Sequence, residues 1–305
     1  MKAPGTVSIL GAGAMGAAYA SRFYAMDPAS VSVVAQGERY ERLQRDGLTV
    51  NGKHYDIPVL APDDTAPPSD LVLVALKHHD LLTSLDLLQN RVGPNTVIVS
   101  VMNGLDSEAI IRAAYGDCVL NAISVGIDAQ RQGNVINFSK IGKVVFGEAN
   151  NKVLSDRVRR VQVLFEQASI PYETPVDMIR QLWWKFMINV GINQASAVLR
   201  APYGVFHTSQ HAQAIMEAAM REVIAVAQAS HVNLVADDLN NWYPIMRSLH
   251  PQGRTSMLQD IEAGRKTEVD IFAGKMVALG RQTGVPTPVN ELLLHAIKVI
   301  EQCPQ

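Results

Sequence analysis

Cysteine is almost missing from this 305-residue chain: Cys118 and Cys303 lie far apart, and neither has a neighbouring thiol. That excludes a disulfide framework and a cysteine-built metal site. An excess of charge of one sign is missing as well. The 27 lysines and arginines nearly balance the 29 aspartates and glutamates, which argues against nucleic acid or an anionic membrane as the main partner. No stretch of about 18 apolar residues runs without charge or punctuation, so no membrane-spanning helix is expected and a soluble, cytoplasmic protein is. Lys2 followed by "VSILGAGAMGAAYA" imitates a signal peptide. The glycine spacing and the continuation into Arg22 explain it better as strand, turn and helix. Neither an internal repeat nor a low-complexity segment is evident.

The length permits two domains with ordinary cores. In the first half, "TVSILGAGAMGAAYASRF" is a short β-branched run, then Gly11-x-Gly13-x-x-Gly16, then an alanine-rich helix. Gly11 permits a tight turn, Gly13 lets backbone approach a pyrophosphate, and Gly16 lets helix pack close to strand. Ala14 and Met15, at the helix start, belong to the same phosphate-facing turn. The pattern follows the first strand and opens a helix, which is the context that gives it meaning. Strand-like runs recur in "VSVVA", ending at Ala35, and at 71–76, 96–101 and 118–123, with helical patterns at 37–46, 79–89 and 105–114. Such alternation predicts a parallel, doubly wound sheet, an α/β Rossmann-type domain. "GLTVNG" and "HYDIPVL" read as an inserted hairpin, and residues 124–148 as further antiparallel strands.

Ligands of these sheets bind beyond the carboxyl ends of the strands. Lys77 stands directly after one strand and Asn103-Gly104 after the next. Taken singly, Lys77 reads as a solvated helix-start residue and Asn103-Gly104 as a plain turn; their placement on adjacent strand ends favours a ligand role. At the end of the second strand, where an acid would meet an NAD ribose, the chain has Gln36, with Arg39 and Arg42 nearby. That favours a 2′-phosphate, hence NADP(H).

After Pro171 and Pro175 strand signals nearly vanish, and residues 177–200, 209–229, 255–279 and 289–302 read as helices. The expected division is therefore a dinucleotide-binding domain over 1–175 and an all-helical substrate and catalytic domain over 176–305. "WWKFMINVGINQAS" spaces Lys185, Asn189 and Asn193 at intervals of four on an otherwise apolar helix, with Ser196 in the same arc. Fourfold spacing keeps them on one face. Asn189, Gly191 and Asn193 together cost about 2 kcal/mol of helix propensity against alanine. A buried lysine needs a partner or a purpose, so the stripe is either a structural polar seam or a ligand site. Further on, Ser256-x-x-Gln259 and Thr267-x-x-Asp270 both fit capping boxes, which predicts two helices joined near Gly264. Glu268 would then lie in a helix's first turn, where the dipole favours an acid. On one straight helix Ser256 and Glu268 would stand about 18 Å apart; a bend at the glycine would let both approach one ligand.

The motifs "GAGAMG", "LKHHD", "MNG", "KFMINVGIN", "SMLQDIEAGRKTEVD" and "GVPTPVNELL" together resemble the ketopantoate reductase (2-dehydropantoate 2-reductase) family from end to end. The resemblance implies a Rossmann domain joined to a helical domain with substrate held between them. It also implies NADPH-dependent reduction of 2-dehydropantoate to (R)-pantoate, on the route to pantothenate and coenzyme A. Carried onto matching positions, it makes Lys185 the general acid and Glu268 its partner. Asn103 and Ser256 become substrate contacts, Asn189 and Asn193 pocket walls, and Lys77 a cofactor contact.

Two positions depart from that pattern: Gln36 where NADPH-preferring members have arginine, and Tyr203-Gly204 where some members have Asn-Gly. They keep open an NADH-dependent D-2-hydroxyacid dehydrogenase acting on another branched 2-keto acid. A nicotinamide-sensing protein without turnover is a third reading, which retention of both Lys185 and Glu268 opposes. His207 and His211 have i, i+4 spacing, but no acidic third ligand stands out, so no metal is expected. Helices 209–229 and 289–302 could bury apolar faces within a monomer or across a homodimer.

Overall fold

The computed structural model describes residues 5–303, so Lys2 lies outside the described residues. Contacts divide the chain into two compact units, the first ending at Met178 and the second beginning at Ile179.

The first unit begins with β1 (Val7–Leu10), α1 (Ala14–Met26), β2 (Val31–Val34) and α2 (Gly37–Asp46). The inserted hairpin follows as β3 (Leu48–Val50) and β4 (Lys53–Tyr55), turning at Asn51-Gly52, both at positive φ. The segment expected to complete this hairpin splits. Its end, β5 (Val59–Leu60), leaves the hairpin and pairs parallel with β2 in the main sheet, because Asp56 and Pro58 interrupt the run and Pro cannot donate to a ladder.

Next come β6 (Leu71–Val74), α3 (His78–Ser84), β7 (Val97–Ser100), α4 (Ser107–Tyr115) and β8 (Val119–Val125). β9 (Gln130–Gln132), β10 (Val135–Asn137), β11 (Lys143–Gly147), α5 (Asp156–Gln167) and β12 (Tyr172–Glu173) complete the unit. The main sheet runs β12-β11-β8-β7-β6-β1-β2-β5, and a small sheet runs β4-β3-β10-β9.

Every residue of β1, β6 and β7 is buried, as expected of parallel strands covered on both faces. Alternate side chains feed two cores. Ile9, Val33, Leu73 and Val99 pack with Phe23 of α1 and Phe165 of α5. Leu10, Val34, Val72, Val74 and Ile98 pack with Leu81 of α3 and Ile111 of α4. This is the doubly wound Rossmann-type arrangement. Strand order reverses between β1 and β6, and in register Leu10 stands level with Val34 and Val74, and Val74 with Ser100. The carboxyl ends of four strands therefore finish together.

The second unit is helical throughout its described residues: α6 (Met178–Ile188), α7 (Gln194–Leu199), α8 (Tyr203–Thr208), α9 (Gln210–Ala229), α10 (Asp237–Ser248), α11 (Ser256–Glu262), α12 (Ala273–Thr283) and α13 (Pro288–Gln302). α8 and α10 were not expected. Pro244 lies inside α10, and proline in a helix interior erases the pattern by which a helix is recognised. The core is built on Phe186, which packs edge-on to Trp183 and tilted against Phe272. Met216, Met220, Met246, Met257 and Met276 are all buried with it. No helix among the described residues is long and apolar enough to cross a membrane.

Candidate active site

In the first unit the site is built at the strand ends. Gly11 has φ +98, and a Cβ there would stand 2.7 Å from the Ala75 carbonyl; only glycine makes this turn beside β6. Gly16 lies so close to the Gly11 carbonyl that a Cβ on it would overlap the oxygen. Gly13 differs, since a Cβ built on it meets nothing within 4 Å. The glycine loop thus closes tightly on its protein side and stays open at Gly13, the N-cap of α1.

No side chain caps α1 and no acid occupies its first turn, so no side chain there compensates the dipole at the helix start. That arrangement fits the pyrophosphate of a dinucleotide. Gln36, exposed at the end of β2, is the N-cap of α2 without a side-chain bond to it. Arg39, one turn on, reaches back and donates from Nη2 to the Ala12 carbonyl of the glycine loop.

Lys77 is the N-cap of α3, directly beyond β6. Asn103, half-buried, follows β7, with Gly104 at φ +97 completing the turn. A buried chain braces that loop: Ser100 Oγ donates to Ser107 Oγ at 2.8 Å, and Ser107 Oγ to the Glu108 carboxylate at 2.8 Å. The other Glu108 oxygen accepts from the Ala122 amide at 3.2 Å. Burial raises the Glu108 carboxyl above its ordinary range, against these bonds, which lower it.

In the second unit the helix expected over 177–200 is continuous but not uniform. After α6 it widens into a π turn at Asn189–Asn193 before α7 resumes. A π turn shifts the backbone acceptor by one residue and recurs at functional sites. Gln194, fully buried, supports it: Nε2 donates to the Val190 carbonyl at 2.7 Å and to Asn290 Oδ1 at 3.1 Å. Asn290 is tied in turn to Glu222, its Nδ2 donating at 2.7 Å. Gly191 faces α9, where a Cβ would stand 2.5 Å from Met220 Cγ and 3.1 Å from the Met216 carbonyl.

The polar stripe therefore changes character along its length. Lys185 and Asn189 are half-buried, Asn193 is buried, and Ser196 is fully buried. Ser196 is structural: it donates to the Ala201 carbonyl at 2.7 Å and accepts from Thr255 at 3.2 Å. Replacing Gly191 by alanine gains about 1 kcal/mol of helix propensity but drives a methyl into a packed interior. The expected net result is a loss of about 1–3 kcal/mol, measured as a lower urea midpoint at unchanged slope.

Two capping assignments change. Thr255, not Ser256, caps α11, accepting from the Leu258 amide at 3.1 Å; Ser256 is the exposed first helical residue beside it. Either hydroxyl suits the pattern, and Thr255 takes the role because it is also tied to Ser196. Glu268 does not open a long helix either. It is buried just before a 3₁₀ turn (Val269–Ile271), and α12 begins only at Ala273. The bend expected near Gly264 is present, with φ +63 there and Arg265 N donating to the Asp260 carbonyl at 2.8 Å. It ends α11 at Glu262, short of Glu268.

Tyr203 follows Pro202 at the start of α8, and burial pushes its phenol up to about 12. His207 Nε2 shares a hydrogen bond with the Met246 carbonyl at 3.0 Å. Among the described residues no group of three or more His, Cys, Asp or Glu could hold a metal ion. Sequence reading missed Gln194 and Asn290, whose only signal was polarity inside apolar helices.

Comparison with known proteins covers both halves. Residues 7–151 match the family described as ketopantoate reductase PanE/ApbA, and residues 177–301 its C-terminal counterpart. A 2-dehydropantoate 2-reductase of Archaeoglobus fulgidus is 28% identical over 309 residues, covering 97% of this chain and 97% of its own. The crystal structure of 2-dehydropantoate 2-reductase from Methylococcus capsulatus superposes with a TM-score of 0.83 at 25% identity, covering 97% of each chain. A ternary structure of D-mandelate dehydrogenase with NADH and anilino(oxo)acetate superposes at 0.87 with 18% identity, over 97% of this chain and 98% of that one. At that identity it shares the fold.

Proposed function

The chain belongs to the ketopantoate reductase family and is an oxidoreductase, and from that premise we propose that it reduces the ketone of 2-dehydropantoate to the alcohol of (R)-pantoate with NADPH. The observation that carries the reading is the stripe headed by Lys185 on an otherwise apolar helix, broken by a π turn at its asparagines. Packing against Met220 accounts for Gly191, but Asn189 and Asn193 cost helix propensity, and ligand chemistry is the reading that favours keeping them beside Lys185.

The nicotinamide, when bound, supplies a hydride. Gly11, Gly13 and Gly16, with the α1 amides about Ala14 and Met15, would hold the pyrophosphate. Lys77 and Asn103, at the ends of β6 and β7, would contact the cofactor. As hydride reaches the carbonyl carbon, the electron pair of the C=O bond moves to oxygen. The Lys185 ammonium stabilises that charge and transfers its proton, so the ketone becomes an alcohol. The positive charge also suits the substrate carboxylate. Glu268 offsets it before substrate arrives, while Asn189, Asn193 and Ser256 supply neutral hydrogen bonds to the substrate.

Gln36, neutral and exposed, favours a second reading, an NADH-dependent D-2-hydroxyacid dehydrogenase acting on another branched 2-keto acid. Steady-state oxidation of NADPH and of NADH, each with 2-dehydropantoate and with a simpler branched 2-keto acid, separates the two. The expected outcome is the highest kcat/KM for NADPH with 2-dehydropantoate. Higher kcat/KM for NADH, or for the simpler acid, would transfer the assignment to the dehydrogenase.

A further inference from the structure

We propose that the 2′-phosphate of NADPH is read by three arginines brought together from α2 and the small inserted sheet, namely Arg39, Arg42 and Arg131, in place of a basic residue at the end of β2. The inference rests on the NADPH reading above and identifies which groups would carry it.

Arg39 fixes the location. Its bond to the Ala12 carbonyl joins α2 to the glycine loop, at the carboxyl end of β2 where a dinucleotide ribose lies. That bond uses Nη2 alone. Nη1 of Arg39 and Nε of Arg42 are buried with no hydrogen-bond partner, and an unpaired buried donor is costly unless a ligand takes it.

Arg131 comes from β9, far away in sequence. β9 pairs with β10, and β10 with β3, the strand that leaves α2 through Gly47. The small sheet thus carries Arg131 at its β9 edge, near enough to α2 for its charge to act on Arg39. Arg131 Nε donates to the Gly133 carbonyl at 2.6 Å, which fixes its base within the β9–β10 turn.

The three charges influence one another. Burial first, then the charges of Arg131 and Arg42, lower the Arg39 guanidinium from its ordinary value to about 10. Arg131 is lowered in the same direction, by partial burial of its guanidinium and then by Arg42. Even so lowered, Arg39 stays protonated at neutral pH. Among the described residues none of them forms an ion pair, and Glu38 and Glu41 on the same helix are exposed. Asp46, further along α2, feels the charge of Arg42 but is itself paired with Arg45; clustered cations with orphaned donors suit a dianionic phosphate monoester, which accepts several charge-assisted bonds. A ribose 2′-hydroxyl would leave the cluster unbalanced.

Titration calorimetry of NADP+ and NAD+ into the full chain tests this without turnover. Arg131→Ala and Arg42→Ala are each expected to weaken NADP+ about 10- to 100-fold and to leave NAD+ within about twofold, with Arg131→Lys recovering part of the loss. The NAD+ titration controls for misfolding, and Arg131, exposed on its strand, is the safer variant. If the unsubstituted chain prefers NADP+ and both alanine variants keep that preference, the cluster is overturned while the cofactor reading stands. If the unsubstituted chain binds both dinucleotides equally, both fall together.

Discussion

Lys185→Ala is expected to lower kcat for ketone reduction by about a hundred- to ten-thousandfold, the range general acid catalysis supplies, while NADP+ affinity stays within about twofold. The two readouts are separable because the glycine loop and the lysine belong to different units of the chain, the first ending at Met178 and the second beginning at Ile179. Removal of the ammonium costs charge stabilisation and the proton together, so the loss appears in kcat and not only in KM. Lys185→Arg divides the two contributions. Guanidinium keeps the charge but is a poor proton donor at neutral pH, so it should recover substrate binding without recovering kcat. A decrease of less than tenfold in the alanine variant would remove Lys185 from the reaction and leave the stripe as a structural seam.

The α face of Lys185 is visible in the sequence because spacing by four survives any reasonable helix. The π turn that follows is not. It is supported by Gly191 lying close against Met220 and by Gln194, which occupies the Val190 carbonyl while it holds Asn290, and the Met220 and Asn290 contacts are made across the fold. A pattern of four read on a straight helix also placed Ser196 with the lysine. The structure spends Ser196 on Ala201 and Thr255 instead, so the end of the stripe is architecture.

Local grammar did better in the first unit. The run before Gly11, the three glycines and the alanine helix each obey a near-neighbour rule, and they fold as β1, loop and α1. The edges of the sheet were harder. β5 is two residues long and flanked by Pro58, and only pairing with β2 tells it from the hairpin before it. The arginine cluster shows the same limit at the level of a site. Arg39 is legible as the basic residue nearest Gln36, whereas Arg131 is placed by the β9–β10–β3 ladder, which no spacing in the sequence announces.

The glycine loop yields a sharper test, since two of its glycines should fail in different ways. At Gly13 the backbone has φ −76 and ψ −161, which any residue adopts, and a Cβ meets no atom within 4 Å. Gly13→Ala should therefore fold with a melting temperature unchanged within about 2 °C and still bind NADP+ at least tenfold more weakly, because the methyl fills space that the pyrophosphate needs. At Gly16 alanine would suit the helix by about 1 kcal/mol, yet its Cβ would overlap the Gly11 carbonyl and stand 3.1 Å from the Ala75 side chain. The helix must then move away from β1 and β6, which costs about 1–3 kcal/mol or more and carries the α1 amides away from the phosphate. Gly16→Ala should thus lose stability and NADP+ affinity together. Thermal unfolding and NADP+ titration on the two variants distinguish a loop shaped for a ligand from one shaped only for packing. Undiminished NADP+ affinity in Gly13→Ala would mean that the open side of the loop is not where the dinucleotide lies.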